Sequence, residues 1–140
     1  NNQNFDIIIH AAAISDYKIE SILINDQVIN SNRSVKLPTS ESMTINLNKT
    51  PKLVNHLKQW SYNPNIKVVA FKLTNTDCAI ERKSAVSKLI DNSDIDFVAH
   101  NDISDIKEYH HSFNFYQSIN QSIPCNCTHQ LCQVILEKAL

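Results

Sequence analysis

Glycine is absent from all 140 residues. At an average usage of about 7%, roughly ten would be expected. Nucleotide-binding α/β domains usually carry glycines in their first phosphate loop, where the backbone must come close to a pyrophosphate. Either the chain is not such a domain, or that loop lies outside it. Excess charge is lacking too. Thirteen Lys and Arg stand against fourteen Asp and Glu, a net charge of −1, and no stretch gathers the basic residues. That excludes nucleic acid as the main partner, because backbone phosphates need a concentrated basic face. A small anion remains possible, since two or three placed lysines suffice. Long apolar runs are also missing. Residues 7–14 are apolar except for His10 and are far too few to span a bilayer. The amino-terminal residues do not read as a signal peptide. The expectation is a cytoplasmic protein with no membrane partner and with reduced cysteines.

What is present suits one compact domain. The chain is 42% hydrophobic and 19% charged, a globular balance and not a disordered one. After four polar residues it enters an Ile-rich run at 5–10, expected to be a strand buried on both faces as in a parallel sheet. Ala11-Ala12-Ala13 follows, then Ser15-Asp16-Tyr17. Small residues after a buried strand let a ligand approach the backbone, at the end where open α/β sheets bind ligands. Residues 21–25 and 27–29 suggest a hairpin, and 31–34 a polar loop. Met43, Ile45 and Leu47 alternate with Thr44 and Asn46, a half-exposed strand. Thr50 is a good N-cap and Pro51 suits a first helical turn, with Leu53, Val54 and Leu57 as the apolar stripe. Residues 68–71 and 95–99 read as further buried strands. Between them Thr76-Asp77 can cap a helix with Ile80, Val86, Leu89 and Ile90 inward. Residues 112–117 and 122–125 can pair as antiparallel strands. Thr128 caps a last helix with Leu131, Val134, Ile135 and Leu136 inward. The alternation of strand and helix predicts an α/β fold with a largely parallel sheet.

Five segments in order resemble the phosphopantothenoylcysteine synthetase family, closest to its stand-alone members. They are His10-Ala11-Ala12-Ala13-Ile14-Ser15-Asp16-Tyr17, Val35-Lys36-Leu37 before a polar loop, Lys49-Thr50-Pro51-Lys52-Leu53, Val69-Ala70-Phe71-Lys72-Leu73, and Asp96-Phe97-Val98-Ala99-His100-Asn101-Asp102. Together they span about the first hundred residues; the tail fits more loosely. The resemblance implies a Rossmann-like three-layer αβα domain, incomplete at its amino end, with a dimerisation arm at about 18–35 and a homodimer. It also implies a reaction. The carboxylate of 4'-phosphopantothenate attacks the α-phosphate of CTP or ATP, giving an acyl-nucleotidylate, and the amine of cysteine then displaces the nucleotide. Mg2+ would accompany the triphosphate.

Position by position, the resemblance implies that His10, Ala11 and Ala12 line the nucleotide with their main chain. Asp16 would contact the nucleotide or its metal, and Lys36 would reach the triphosphate from a loop. A helix start at Pro51, Lys52, Leu53 and Val54 would offer free N–H groups, those of the three residues after the proline, to phosphate. Phe71 would pack on the base, and Lys88 would be one of two nucleotide-contacting lysines. The second lysine falls near Asn92 and is missing, and the usual Gly or Ser before Phe71 is Ala70. The family's Gly-rich strand-turn-helix, which helps hold phosphopantothenate, is absent too. Without the resemblance each residue has a plain role: Asp16 a turn residue, Lys36 and Lys88 solvated lysines, Phe71 core.

Cys125, Cys127, His129 and Cys132 are zinc-type residues, but their spacing is unusual and no second ligand pair closes a site. Buried or idle thiols are the expectation. Two rivals remain. One is a non-catalytic nucleotide-binding or dimerisation fragment. The other is a short-chain dehydrogenase, which needs a Tyr with a Lys four residues on, and no Tyr here has one.

Overall fold

The computed structural model describes residues 4–25, 27–30, 36–108 and 110–140. The polar loop read at 31–34, and Val35, lie outside them. The chain divides into two compact units, one of Asn1–Ala12 with Leu53–Leu140 and one of Ala13–Lys52.

The larger unit is built on a five-stranded sheet. Its strands are β1 (Ile7–His10), β5 (Lys67–Thr74), β6 (Phe97–Asp102), β9 (Phe113–Ser118) and β10 (Gln121–Cys125), side by side in that order. The first three are parallel, and the hairpin of β9 and β10 continues the sheet antiparallel. Residues alternate between faces along each strand. Val69, Phe97, Ala99 and Phe115 face one way and are covered by Leu131, Val134 and Ile135 of α3 (Thr128–Ala139). Val68, Ala70 and Val98 face the other way. There they meet Val86 of α2 (Ala79–Ile90) and Val54 of a 3-10 turn (Leu53–His56) that leads into α1 (Leu57–Trp60). Helices thus cover both faces of a mixed sheet whose central strands are parallel, and the α/β expectation holds. Strands β7 (Ile106–Lys107) and β8 (His110–His111) form a separate small ladder.

Several local expectations need correction. β1 is not buried on both faces. Among the described residues its only ladder partner is β5, and Ile9 is 51% exposed. The helix expected from Pro51 starts at Leu53, and begins as a 3-10 turn. Thr50 does not cap it, because its hydroxyl donates to the Ser15 carbonyl and its N–H to that of Asp16. The last two helices begin one position off the expected caps, after Cys78 and Cys127, neither of which caps with its side chain. Thr76 instead accepts from the Cys78 N–H and donates to Glu81. Ile80 and Leu136 point outward, because each sits past the edge of its helix's buried stripe.

The smaller unit is an antiparallel sheet in the order β3 (Gln27–Asn30), β2 (Tyr17–Ile24), β4 (Met43–Lys49). The hairpin β2–β3 turns at Asn25, whose φ of 49° is the only positive value among the described residues. Asn tolerates that left-handed region better than any other residue except glycine. The pairing of β2 with β4 slips between Ile19 and Ser21. Ile19 and Ile22 are three apart and would otherwise lie on opposite faces. The slip, a bulge at Glu20, returns both to one face. Tyr17, Ile19, Ile22 and Ile24 therefore share a face with Met43, Ile45 and Leu47.

Replacing Phe115, which stacks on Phe97 with ring centroids 5.2 Å apart, with Ala should lower unfolding free energy by about 3–5 kcal/mol. Ile80→Ala, at a position 80% exposed, should change it by less than about 0.5 kcal/mol. Urea unfolding with an unchanged m value checks both.

Candidate functional site

At the carboxyl ends of the parallel strands a polar cluster interrupts the apolar core. Asp102, the last residue of β6, is fully buried. It accepts from the Thr74 hydroxyl at 2.5 Å, the Thr76 N–H at 3.2 Å, and the Ser104 N–H and hydroxyl at 3.0 and 2.8 Å. Arg82 of α2 pairs with it at 3.2 Å. The Thr74 hydrogen bond, with those from Ser104 and Thr76, outweighs burial and holds the carboxyl well below the usual carboxylate range. Asp102 is thus ionised and joins β6, the end of β5 and α2.

His100, also buried, is the next residue on that face. Its Nε2 lies 2.9 Å from the Thr74 hydroxyl oxygen. That hydroxyl has one hydrogen and gives it to Asp102, so His100 must donate from Nε2, and Nδ1 is left as an acceptor. Nδ1 is buried and has no partner among the described residues, as is true of Nε2 of His10. Burial, with the nearby Arg82 charge, pushes the His100 pKa below its ordinary value, so the ring is neutral at pH 7.

At the other end of β6, Asp96 bridges Lys58 at 3.0 Å and Lys67 at 3.3 Å and accepts from the Val68 N–H. Burial raises its pKa, but these contacts lower it further. This cluster pins β5 to β6 at their amino-terminal side and is structural.

The residues singled out from the sequence fall in both units. His10, Ala11, Ala12, Leu53, Val54, Phe71 and Lys88 belong to the larger unit, and Asp16, Lys36, Pro51 and Lys52 to the smaller. His10 ends β1 half-buried, and Ala11 and Ala12 follow it exposed. Phe71 is on the α3 face, edge-on to Phe113 at 6.2 Å. His10, in register with Ala70, has its side chain on the opposite face. Lys88 is in the last turn of α2, which runs back towards the start of β6, away from the strands' carboxyl ends. Val54 is buried in the core, and the four-residue α1 after the 3-10 turn offers no long helix start. Asp16, Lys36, Pro51 and Lys52 are exposed. Cys125 is buried, and burial raises its thiol pKa; Cys127 and Cys132 are exposed. Among the described residues no three His, Cys, Asp or Glu side chains gather around a possible metal position. The sequence reading gave no role to Thr74, Arg82 or the side chains of His100 and Asp102. The signal was there: a buried strand that ends in three polar residues.

A mixed α/β sheet with a polar cluster at its parallel strand ends is the class of fold that this geometry defines. A family described as the DNA/pantothenate metabolism flavoprotein C-terminal domain matches residues 1–138, and the chain belongs to it. That ties the chain to pantothenate metabolism and agrees with the resemblance read from its sequence. Among solved structures, the DNA/pantothenate metabolism flavoprotein from Streptococcus pneumoniae is similar, with a TM-score of 0.78 and 24% identity over 97% of this chain. A Cab2 mutant is similar with a TM-score of 0.61 and 16% identity over 91% of this chain. These likenesses show the fold. The chain spans 63% of the first protein's length and 41% of the second's. No curated protein matches it.

His100, Asp96 and Asp102, all with lowered values, set the acid limb of stability. His100 is held neutral, so its contribution is complete above the ordinary histidine value of 6.5 and is lost as pH falls below it. The Asp102 contribution is complete above 3.8 and is lost below that. Urea midpoints should fall in two steps on acidification. His100→Gln, which keeps a donor for Thr74, should remove the upper step and leave the lower; an unchanged upper step would contradict this assignment.

Proposed function

We propose that the chain is the nucleotide-handling part of a phosphopantothenate–cysteine ligase of coenzyme A biosynthesis, acting in the cytoplasm. The observation that carries this is the family match over nearly the whole chain. The motif residues read from the sequence support it. In the proposed reaction the carboxylate of 4'-phosphopantothenate attacks the α-phosphate of CTP or ATP, and pyrophosphate leaves. The amine of cysteine then attacks the acyl carbon, and the nucleoside monophosphate leaves. Lys36 is an exposed cation suited to the charge that builds on the phosphates. Asp16 is an exposed carboxylate suited to the hydrated Mg2+ that arrives with the triphosphate, which needs only one or two protein oxygens. No helix among the described residues is long and apolar enough to cross a membrane.

A second copy of the chain is the proposed partner. The apolar face of the β2–β3–β4 sheet supports this. Ile45 and Leu47 are 49% and 53% exposed, although they share that face with the buried Ile22 and Ile24. A contiguous apolar sheet face of this kind marks an interaction surface, and a two-fold axis would bury it against itself.

A second reading is a nucleotide-binding and dimerisation unit without turnover of its own. It is favoured by the lack of glycine among these 140 residues, since a phosphate loop usually carries it.

Calorimetric titration with Mg-CTP and then Mg-ATP tests the first reading. One nucleotide should bind saturably, and Lys36→Ala and Asp16→Ala should each weaken binding roughly tenfold or more, as expected when a hydrogen bond to a charged group is lost. Absence of binding by both nucleotides would sink it. Pyrophosphate release on adding 4'-phosphopantothenate separates the ligase from the binding unit. Sedimentation should show a dimer that Ile45→Asp or Leu47→Asp converts to a monomer with its far-ultraviolet spectrum retained; a native monomer would reject the dimer.

A further inference from the structure

Lys72 and His100 are directly opposite each other on parallel strands, in register and on one face of the sheet. Adjacent strands are about 4.8 Å apart, so the two side chains leave the sheet as near neighbours. Both stand near the carboxyl ends of β5 and β6, where open α/β sheets take their ligands. His100 is 4% exposed, and its Nδ1 lone pair has no partner. Its other nitrogen is fixed as a donor by the chain His100 to Thr74 to Asp102. The Tyr116 ring lies edge-on to it at 6.4 Å and does not take that lone pair. Lys72 is half-buried and makes none of the ion pairs formed among the described residues. Lys58 and Lys67 share Asp96, and Arg82 is occupied by Asp102 and Asp105. Among the described residues Lys72 is thus a half-buried cation with no carboxylate, beside a buried acceptor with no donor.

The pairing selects a ligand chemistry. A phosphodiester, or an inner phosphate of a nucleotide, would satisfy Lys72 but would set its oxygens against the Nδ1 lone pair, since both are acceptors. An amine alone would satisfy His100 and leave Lys72 unpaired. An α-amino acid carries both groups on one carbon.

We propose that Lys72 and His100 form the subsite for the amino-acid co-substrate, with the carboxylate on the Lys72 ammonium and the α-amine on His100 Nδ1. This deepens the ligase reading and rests on it. The ammonium passes a proton to Nδ1 and becomes a free amine. Its electron pair forms the C–N bond at the acyl carbon of the acyl-nucleotidylate. The bond from that carbon to the phosphate oxygen breaks, and the nucleoside monophosphate leaves with the electron pair. The second proton lost from the new amide nitrogen goes to water. Thr74 and Asp102 act as positioning residues, because they fix the tautomer that keeps Nδ1 open.

The test is nitrogen NMR of the whole chain labelled in its histidine rings, titrated with cysteine, cysteamine and 3-mercaptopropionate. The free protein should show His100 as the Nε2–H tautomer. Cysteine should move the Nδ1 resonance saturably. Cysteamine, which lacks the carboxylate, and 3-mercaptopropionate, which lacks the amine, should each bind roughly ten- to a hundred-fold more weakly, the loss of one hydrogen bond to a charged group. In calorimetric titrations of the variants, Lys72→Met should weaken cysteine but leave cysteamine unchanged, and His100→Gln should weaken cysteine but leave 3-mercaptopropionate unchanged. A free His100 in the Nδ1–H form overturns the subsite, as does an Nδ1 signal that cysteine never moves. Nucleotide binding, measured separately, tells whether the ligase reading falls with it.

Discussion

A single buried carboxylate organises the working end of the larger unit. An ionised group cannot be left in an apolar interior without partners, so Asp102 fixes the positions of everything that satisfies it. Its donors come from the end of β5, the segment after it, the turn after β6 and the first part of α2. The pinning of the end of β5 to β6, the start of α2 and the tautomer of His100 all follow from that one requirement. The apolar layers on either side supply most of the burial, but they would tolerate small slides. A carboxylate with five fixed contacts would not.

The absence of glycine has a structural answer here. The described backbone contains one left-handed residue, and Asn25 fills it. No other described position needs the freedom that only glycine has. At the carboxyl ends of the parallel strands, small alanines follow β1 and polar side chains close β5 and β6. Such ends leave ring nitrogens and a lysine without protein partners. In a region where nearly every buried polar group is satisfied, the exceptions mark where something else belongs.

Sequence patterning determined much of this protein. The buried runs became parallel strands, because continuous apolar stretches fit a sheet covered on both faces. The hairpin at the tail, a hairpin at 21–25 and 27–29 and the alternating strand at 43–47 were legible from period-two patterns and polar turns, and the structure extends the last two to 17–30 and 43–49. The motif order was enough to point to the family. Tertiary structure alone decided the rest. It made β1 an edge in this chain, turned Ile80 and Leu136 outward, and shortened the helix after Pro51, since local propensity cannot see which stripe a neighbour will cover. It placed Phe71 and His10 on opposite faces, which depends on register. It gathered Thr74, Arg82, His100 and Asp102 from three elements into one network. Their separation along the chain hides them from any local reading, because an ion pair and a hydrogen bond depend on distance in space.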